Sequence, residues 1–315
     1  MKYIFLLSGE NEELAKEEVL AVTKAKDYEL DGRILLANCK KFNFERLAYT
    51  HKVLRFIFAI AKDKLISKID SVNWQKHYKN NFCVRAKGKF LEEKVLAGHI
   101  WTALKNPKVK LEKSSTQIEF IENKNKIYCG LLVSEVPKEY WKRQPHLRPG
   151  FHPSSINAKL ARACVNLSGI KQGQTLYDPF CGTGGILIEA GLIGCRIIGS
   201  DIDQKMIKRT KINLKNYNIN NFKLSQTDAA KAKQEFDTIV TDPPYGKASS
   251  LHKKNNIELY ETFLANASKL LKKNKRLVFI LPSKIKVKTS LTLLKMIDVY
   301  VHSSLTRRIY IFTKY

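Results

Sequence analysis

Thr175-Leu176-Tyr177-Asp178-Pro179-Phe180-Cys181-Gly182-Thr183-Gly184-Gly185 reads as a strand over 175–180 that breaks into a glycine turn, and Ile186–Leu192 continues it as an apolar helix. Glycine permits the tight turn and lets a ligand come close to the backbone. The alternation then continues. Arg196–Ser200 is a strand, and Gln204–Tyr217 a helix with Met206, Ile207, Ile212 and Leu214 as its apolar stripe. Phe222–Ser225 and Phe236–Val240 are strands, Tyr260–Leu271 a helix and Arg276–Leu281 a strand. Leu291–Ile297 reads as a short helix, and Val299–Ser303 and Arg308–Phe312 as two close strands. Strands alternating with helices predict a parallel sheet covered on both faces. The final pair is too close for a crossover helix, so it forms a hairpin and brings one antiparallel strand into the sheet. Ligands of such sheets bind beyond the carboxyl ends of the strands.

Four acids fall at those ends: Asp178, Asp201, Asp228 and Asp242. Any one of them could be a turn or cap residue. Four in series, beside glycines and prolines, predict a site. The loop from Asp178 lacks the third glycine of the dinucleotide fingerprint, and its carboxylate would repel a pyrophosphate. A ligand with an ammonium group and no phosphate fits better, and S-adenosylmethionine is one. The turn and the helix start can receive its carboxylate, with Asp178, Pro179, Phe180, Gly182, Thr183 and Gly184 around it. Asp201, in Gly199-Ser200-Asp201-Ile202-Asp203, is placed to accept from ribose hydroxyls, with Ile202 beside it. Asp203 reads as a helix N-cap. Asp228, with Ala229, is placed to accept from an adenine amino group.

The fourth acid opens Asp242-Pro243-Pro244-Tyr245-Gly246. Proline fixes φ and removes donors. The Asp242 carboxylate and the Pro243 carbonyl are left as acceptors beside the face of Tyr245. This set suits an exocyclic amino group of a nucleobase, whose lone pair is delocalised into the ring. Two acceptors draw that nitrogen toward the tetrahedral form and aim its lone pair at a methyl group. Stacking on Tyr245 adds roughly 1–3 kcal/mol, and a base in a duplex would have to be extruded.

The chain has 315 residues, with 56 Lys+Arg against 29 Asp+Glu and a net charge of +27. A 44% hydrophobic content excludes wholesale disorder, and no apolar run reaches the ~18 residues of a membrane span. Met1–Leu7 is strand-like and lacks the basic region of a signal peptide. Six cysteines form no C-x-x-C pair, so a cytoplasmic protein with free thiols is expected. Residues 1–150 carry net +11 and residues 151–315 net +16, so the basicity is no tail and points to a polyanionic partner. No long basic amphipathic helix suggests a membrane surface. Seven histidines show no metal spacing. Cys181 has no visible activating partner for a nucleophilic role. His252 could meet substrate phosphate or simply be solvated, and Arg307 could bind RNA or simply flank a strand.

In the first half, Tyr3–Leu7, Arg33–Asn38 and Val53–Ile60 read as strands and Glu12–Thr23 as an amphipathic helix. A second unit follows, with a strand at Phe82–Lys87 and a helix at Glu93–Leu104. Lys108–Lys113, Gln117–Ile121 and Ile127–Val133 are expected to complete its sheet. Its tip, Arg85-Ala86-Lys87-Gly88-Lys89, is basic. The proline-bearing stretch Glu135–Phe151 reads as a stiff linker. Its Trp141-Lys142-Arg143 cluster could touch phosphate or anchor against a domain.

The D-P-F-x-G-x-G-G, G-x-D-I-D and D-P-P-Y segments resemble those of class I S-adenosylmethionine-dependent amino-methyltransferases. Arg148-Pro149-Gly150-Phe151-His152-Pro153-Ser154-Ser155-Ile156, Leu160-Ala161-Arg162 and Ser304-Leu305-Thr306-Arg307 resemble archaeal tRNA guanosine-10 N2-methyltransferases and their eukaryotic relatives. Gly150 departs from the usual aromatic run there. Phe82–Gly88, the helix after it and Pro107–Leu111 resemble the THUMP domain, a tRNA-gripping module. The resemblance implies an α/β architecture: a Rossmann-like domain with a seven-stranded, mostly parallel sheet and one antiparallel strand, behind α+β ferredoxin-like and THUMP units. The expected divisions are 1–65 (ferredoxin-like), 66–136 (THUMP), 137–155 (linker) and 156–315 (methyltransferase). It implies methyl transfer to guanine N2 of tRNA, with Asp242, Pro243 and Tyr245 catalytic and Arg85, Lys87, Lys89, Tyr245, His252 and Arg307 on the RNA. No metal or membrane is expected, and a monomer is, with a small activator subunit left open. Two rival readings are an adenine N6-methyltransferase of rRNA or DNA, and a non-catalytic RNA-binding protein.

Overall fold

A computed structural model of the chain describes residues 1–40, 42–136, 139–232, 234–245 and 250–315, with no side-chain description at 230 and 250–255. The chain forms two compact units. The first comprises Met1–Glu12, Thr23–Glu45 and Thr50–Val136, and the second Glu13–Val22, Arg46–Tyr49 and Pro137–Tyr315.

The first unit is built on strands β1 (Lys2–Leu7), β2 (Tyr28–Asp31), β3 (Ile34–Asn38), β4 (Thr50–Ala61), β5 (Phe82–Lys87), β6 (Thr116–Asn123) and β7 (Lys126–Glu135). They form one sheet in the order β2-β3-β1-β4-β7-β6-β5. The two expected N-terminal units therefore share a continuous sheet, joined where β4 pairs antiparallel with both β1 and β7. Phe58, Trp74, Phe82 and Phe120 fill one core and Ile4, Leu36, Leu54 and Tyr128 another. Helices α2 (Leu65–Ser71) and α3 (Glu93–Thr102) belong to this unit. Lys108–Lys113 is not a strand. Val109 makes only a single bridge to Phe82, and Val109 and Leu111 are 51% and 64% exposed. The alternation is present in the sequence, but it has no core to face.

In the second unit, strands β8 (Thr175–Asp178), β9 (Arg196–Asp201), β10 (Phe222–Gln226), β11 (Thr238–Thr241), β12 (Arg276–Pro282), β13 (Thr292–His302) and β14 (Leu305–Thr313) form a sheet. Its order is β10-β9-β8-β11-β12-β14-β13. The β8–β12 ladders are parallel, and β14 runs antiparallel between β12 and β13. The expected mixed sheet is found. Helices α4 (Ala158–Leu167), α5 (Gly185–Leu192), α6 (Gln204–Asn216) and α7 (Ser250–Leu270) connect it. Asn157 caps α4 and Asp203 caps α6, each accepting from backbone N–H groups of the first turn. The core packs Tyr260, Phe263 and Leu264 of α7 onto Ile239, Leu277 and Phe279.

Leu291–Ile297, read above as a helix, is mostly β13. Its pairing with β14 slips between Leu293 and Lys295. Such a bulge breaks the strict alternation that marks a strand, and the run is rich in helix formers, so partner strands override local preference. Helix α1 (Glu12–Thr23) lies in the 1–65 segment, yet its residues Glu13–Val22 group with the second unit. The buried Glu18 carboxylate accepts from the Ala48 and Tyr49 amides at 2.8 Å each and from Asn166 Nδ2 at 2.7 Å. Arg46 donates to Asn166 Oδ1 at 2.9 Å. Among the described residues no helix is long and apolar enough to cross a membrane.

Candidate active site

The second unit's strands end together along one edge, and the predicted acids lie there. Gly184 takes φ +82° as the chain turns into α5, a conformation that glycine reaches without strain. The turn is held from α6: Thr210 Oγ1 donates to the Gly182 carbonyl at 2.7 Å, and Asn213 Nδ2 to the Thr183 carbonyl at 2.8 Å. Ser155 Oγ meets Thr183 Oγ1 at 2.7 Å. Gly150 donates its N–H to Asn213 Oδ1 at 2.8 Å, and a Cβ there would meet the Arg209 carbonyl at 2.8 Å. The departure at this position thus lets the 148–156 segment lie against α6. Thr210 and Asn213 were not foreseen. The sequence shows only two polar residues three apart in a helix, and their full burial becomes visible only in the fold.

Asp201 accepts from the Gly182 amide at 2.9 Å through Oδ2 and from the Asp203 amide at 3.0 Å through Oδ1. It therefore ties the end of β9 to the glycine turn. Ile202, next to it, is 74% exposed. Space around Gly182 is open, with no atom within 4 Å of where a Cβ would stand. Pro179, Thr183 and Ala229 are buried, while Phe180 and Asp228 are half-buried. Asp228 follows β10 at the same edge. An open glycine cradle, a carboxylate and an exposed aliphatic side chain are what an adenosyl ligand needs.

Asp178 is buried and accepts from Thr241 Oγ1 at 2.6 Å and from the Phe180 amide at 3.2 Å. Burial, against those bonds and with the Asp201 and Asp242 charges adding to it, pushes its carboxyl up to about 7. Thr241 is the last residue of β11, so this bond joins the glycine turn's strand to the strand that carries Asp242.

The Asp242 side chain is only 11% exposed. The Tyr245 hydroxyl donates to its Oδ1, and Arg307 Nη2 lies 3.2 Å from its Oδ2. Burial pushes the Asp242 carboxyl up, and the Arg307 charge opposes this. Tyr260 donates to the Pro244 carbonyl at 2.7 Å and Asn256 to the Tyr245 carbonyl at 3.2 Å, fixing the loop to α7. His252's side chain and Gly246 lie outside the described residues. Cys181 is buried, and burial holds its thiol well up, so it offers no thiolate.

A family model described as "RMKL-like, methyltransferase domain" matches residues 145–308, just over half of the chain. The chain belongs to the RMKL-like methyltransferases. A model described as "DNA methylase" matches residues 7–212 and ends before the Asp242 loop. A tRNA (guanine(10)-N2)-dimethyltransferase of Methanothermobacter thermautotrophicus is 35% identical over 286 residues, covering 85% of this chain and 84% of that one. Another of that name, from Pyrococcus abyssi, is 31% identical over 99% of both chains. TrmN from Thermus thermophilus, a crystal structure, is alike in fold, with a TM-score of 0.53 at 18% identity and 100% of each chain covered.

Among the RNA candidates of this RMKL-like methyltransferase, Lys87 and Lys89 are exposed. Arg85 is engaged within its own unit, donating to the Leu111 carbonyl and pairing with Glu93 at 3.4 Å. Trp141 is 64% exposed, whereas Arg143 is paired with Glu189 at 2.8 Å. Glu189, on α5, is fully buried and also meets Arg162 of α4 at 2.8 Å.

Proposed function

We propose that this enzyme transfers methyl from S-adenosylmethionine to the exocyclic N2 of guanosine, at position 10 of tRNA. The observation that carries the reading is Asp242: a buried carboxylate at a strand end, joined through Thr241 to the strand of the glycine turn. The names of the relatives from Methanothermobacter thermautotrophicus and Pyrococcus abyssi supply the base and the RNA.

The cofactor supplies an electrophilic methyl group on a sulfonium. Asp178, Pro179, Phe180, Gly182, Thr183 and Gly184 hold its methionine portion, Asp201 with Ile202 its ribose, and Asp228 with Ala229 its adenine. Asp242 and the Pro243 carbonyl accept hydrogens of the guanine amine, and Tyr245 carries the base. The amine loses one proton when it gains the methyl. Burial makes the Asp242 carboxylate a better base than an exposed aspartate, so it takes that proton. Residues 66–136 act as a THUMP module, behind a ferredoxin-like segment at 1–65 and before the 137–155 linker. Lys87 and Lys89, with Arg85 and His252, are the residues this reading assigns to RNA contact. The enzyme works as a cytoplasmic monomer, a small activator subunit being the alternative to it.

Mass spectrometry of nucleosides from unmodified tRNA, after incubation with enzyme and cofactor, tests the reading. N2-methylated guanosine is the expected product; N6-methyladenosine would overturn the base assignment. A second expectation concerns pH. An ammonium-bearing ligand beside Asp178 prefers the carboxylate, whose ordinary value is 3.8 and which burial moves to about 7. Below that value the free site holds a proton that binding must release. Affinity for S-adenosylhomocysteine should therefore weaken as pH falls from 7.5 to 5.5, by up to about tenfold per unit, and stay level above 8. Calorimetry at several pH values would reveal a flat profile if Asp178 does not face the ligand.

A further inference from the structure

Arg307 was expected at the RNA, where an arginine that meets phosphate is exposed and uncommitted. Its side chain is instead 12% exposed and committed to the loop. It lies 3.2 Å from Asp242 Oδ2, and its Nε donates to the Tyr245 hydroxyl at 3.1 Å. Its guanidinium carbon stands 5.8 Å from the Tyr245 ring centroid. The Tyr245 hydroxyl donates in turn to Asp242 Oδ1, so the three side chains close a ring. Strand alternation separates Arg307 from its neighbour. Arg308 makes a two-pronged pair with Asp298 at 2.7 and 2.8 Å. On β14, Arg307 is opposite Pro282 of β12, which places it by the sheet's own register.

This arrangement gives each Asp242 oxygen one partner. Each oxygen of a carboxylate has a second lone pair, so a guanine amine can join or replace the Tyr245 hydroxyl at Oδ1 and leave the Arg307 contact to Oδ2 untouched. We infer that Arg307 is a positioning residue for Asp242: it holds Oδ2, fixes the rotation of the carboxylate and keeps it ionised, so that Oδ1 is presented to the incoming amine. This deepens the guanine-N2 reading and rests on it. It is a role in the chemical step and not in gripping RNA.

Other groups near Asp242 are shared by wild type and variants. They are Tyr245 on its own loop, Cys164 on α4, Asp178 at the end of β8 and Tyr260 on α7, all of which feel the Asp242 charge. Removing the Arg307 cation raises the Asp242 carboxyl further, because that charge opposes the effect of burial. The test measures kcat, KM for tRNA and the pH dependence of kcat for wild type, Arg307→Ala and Arg307→Lys. For Arg307→Ala, kcat should fall about 100-fold, with KM within about threefold and the acid limb of the profile moved to higher pH. Arg307→Lys keeps the charge and should return the limb to its wild-type position with part of the rate. Because a buried alanine variant can fail to fold, S-adenosylhomocysteine binding is checked first, and Arg307→Lys alone decides if binding is lost. For Arg307→Ala, a raised KM with the limb unmoved would overturn the inference in favour of a phosphate contact; for Arg307→Lys, a raised KM with an undiminished kcat would do the same. Unaltered kinetics in both would overturn it as well. Wild-type enzyme that makes no N2-methylated guanosine would instead sink the underlying reading.

Discussion

Asp242→Ala is expected to lower methyl transfer about 10³-fold or more, while affinity for S-adenosylhomocysteine stays within about twofold. In the proposed reading the carboxylate accepts the amine's hydrogen and takes up its proton, and alanine can do neither. The glycine turn proposed to hold the cofactor is built elsewhere: the Asp201 bond to the Gly182 amide and the Thr210 and Asn213 bonds to the turn do not involve residue 242. Asp242→Asn should sit between the two, because its amide oxygen still accepts but its basicity is gone. Single-turnover rates and calorimetry on the same preparations provide the check. Transfer within tenfold of wild type in the alanine variant would remove Asp242 from the chemistry.

The largest effect on stability is expected at Glu189. Its carboxylate is fully buried between two arginines, with Arg143 Nε at 2.8 Å and Arg162 Nη2 at 2.8 Å. Those side chains are 17% and 8% exposed. Glu189→Ala strands both guanidinium groups away from water, which costs about 3–5 kcal/mol. For a unit of this size the midpoint of thermal unfolding should drop by roughly 10 °C. Glu189→Gln retains hydrogen bonding and should lose less. Because α5 begins at the glycine turn, cofactor affinity should weaken along with stability. An unchanged midpoint in a thermal melt of Glu189→Ala would show that the pair has relaxed into solvent.

The order of strands and helices from 175 to 281 was legible because each strand is a short apolar run and each crossover carries a helical stripe. Asp178, Asp201 and Asp242 were legible as a set because strand ends of a parallel sheet converge by topology, whatever their separation in sequence. What could not be read depends on register and on long-range partners. Arg307 meets Asp242 only because β14 pairs with β12 in one particular register. The bulge after Leu293 concealed β13. Nothing at Glu18 or Asn166 announces the other, 148 residues away. The N-terminal half looked like two units because turn residues punctuate it, whereas hydrogen bonds along β4 make one sheet of it.

That 148-residue separation also has a consequence in time. Helix α1 leaves the ribosome early, but the amide that binds its buried carboxylate is synthesised much later. Until then the nascent chain must keep Glu18 solvated while strands β1 to β7 form around the gap in the sequence. The unit that carries Asp242 therefore cannot complete itself from its own contiguous segment, and its assembly is obliged to finish after the strands of the first unit have been made.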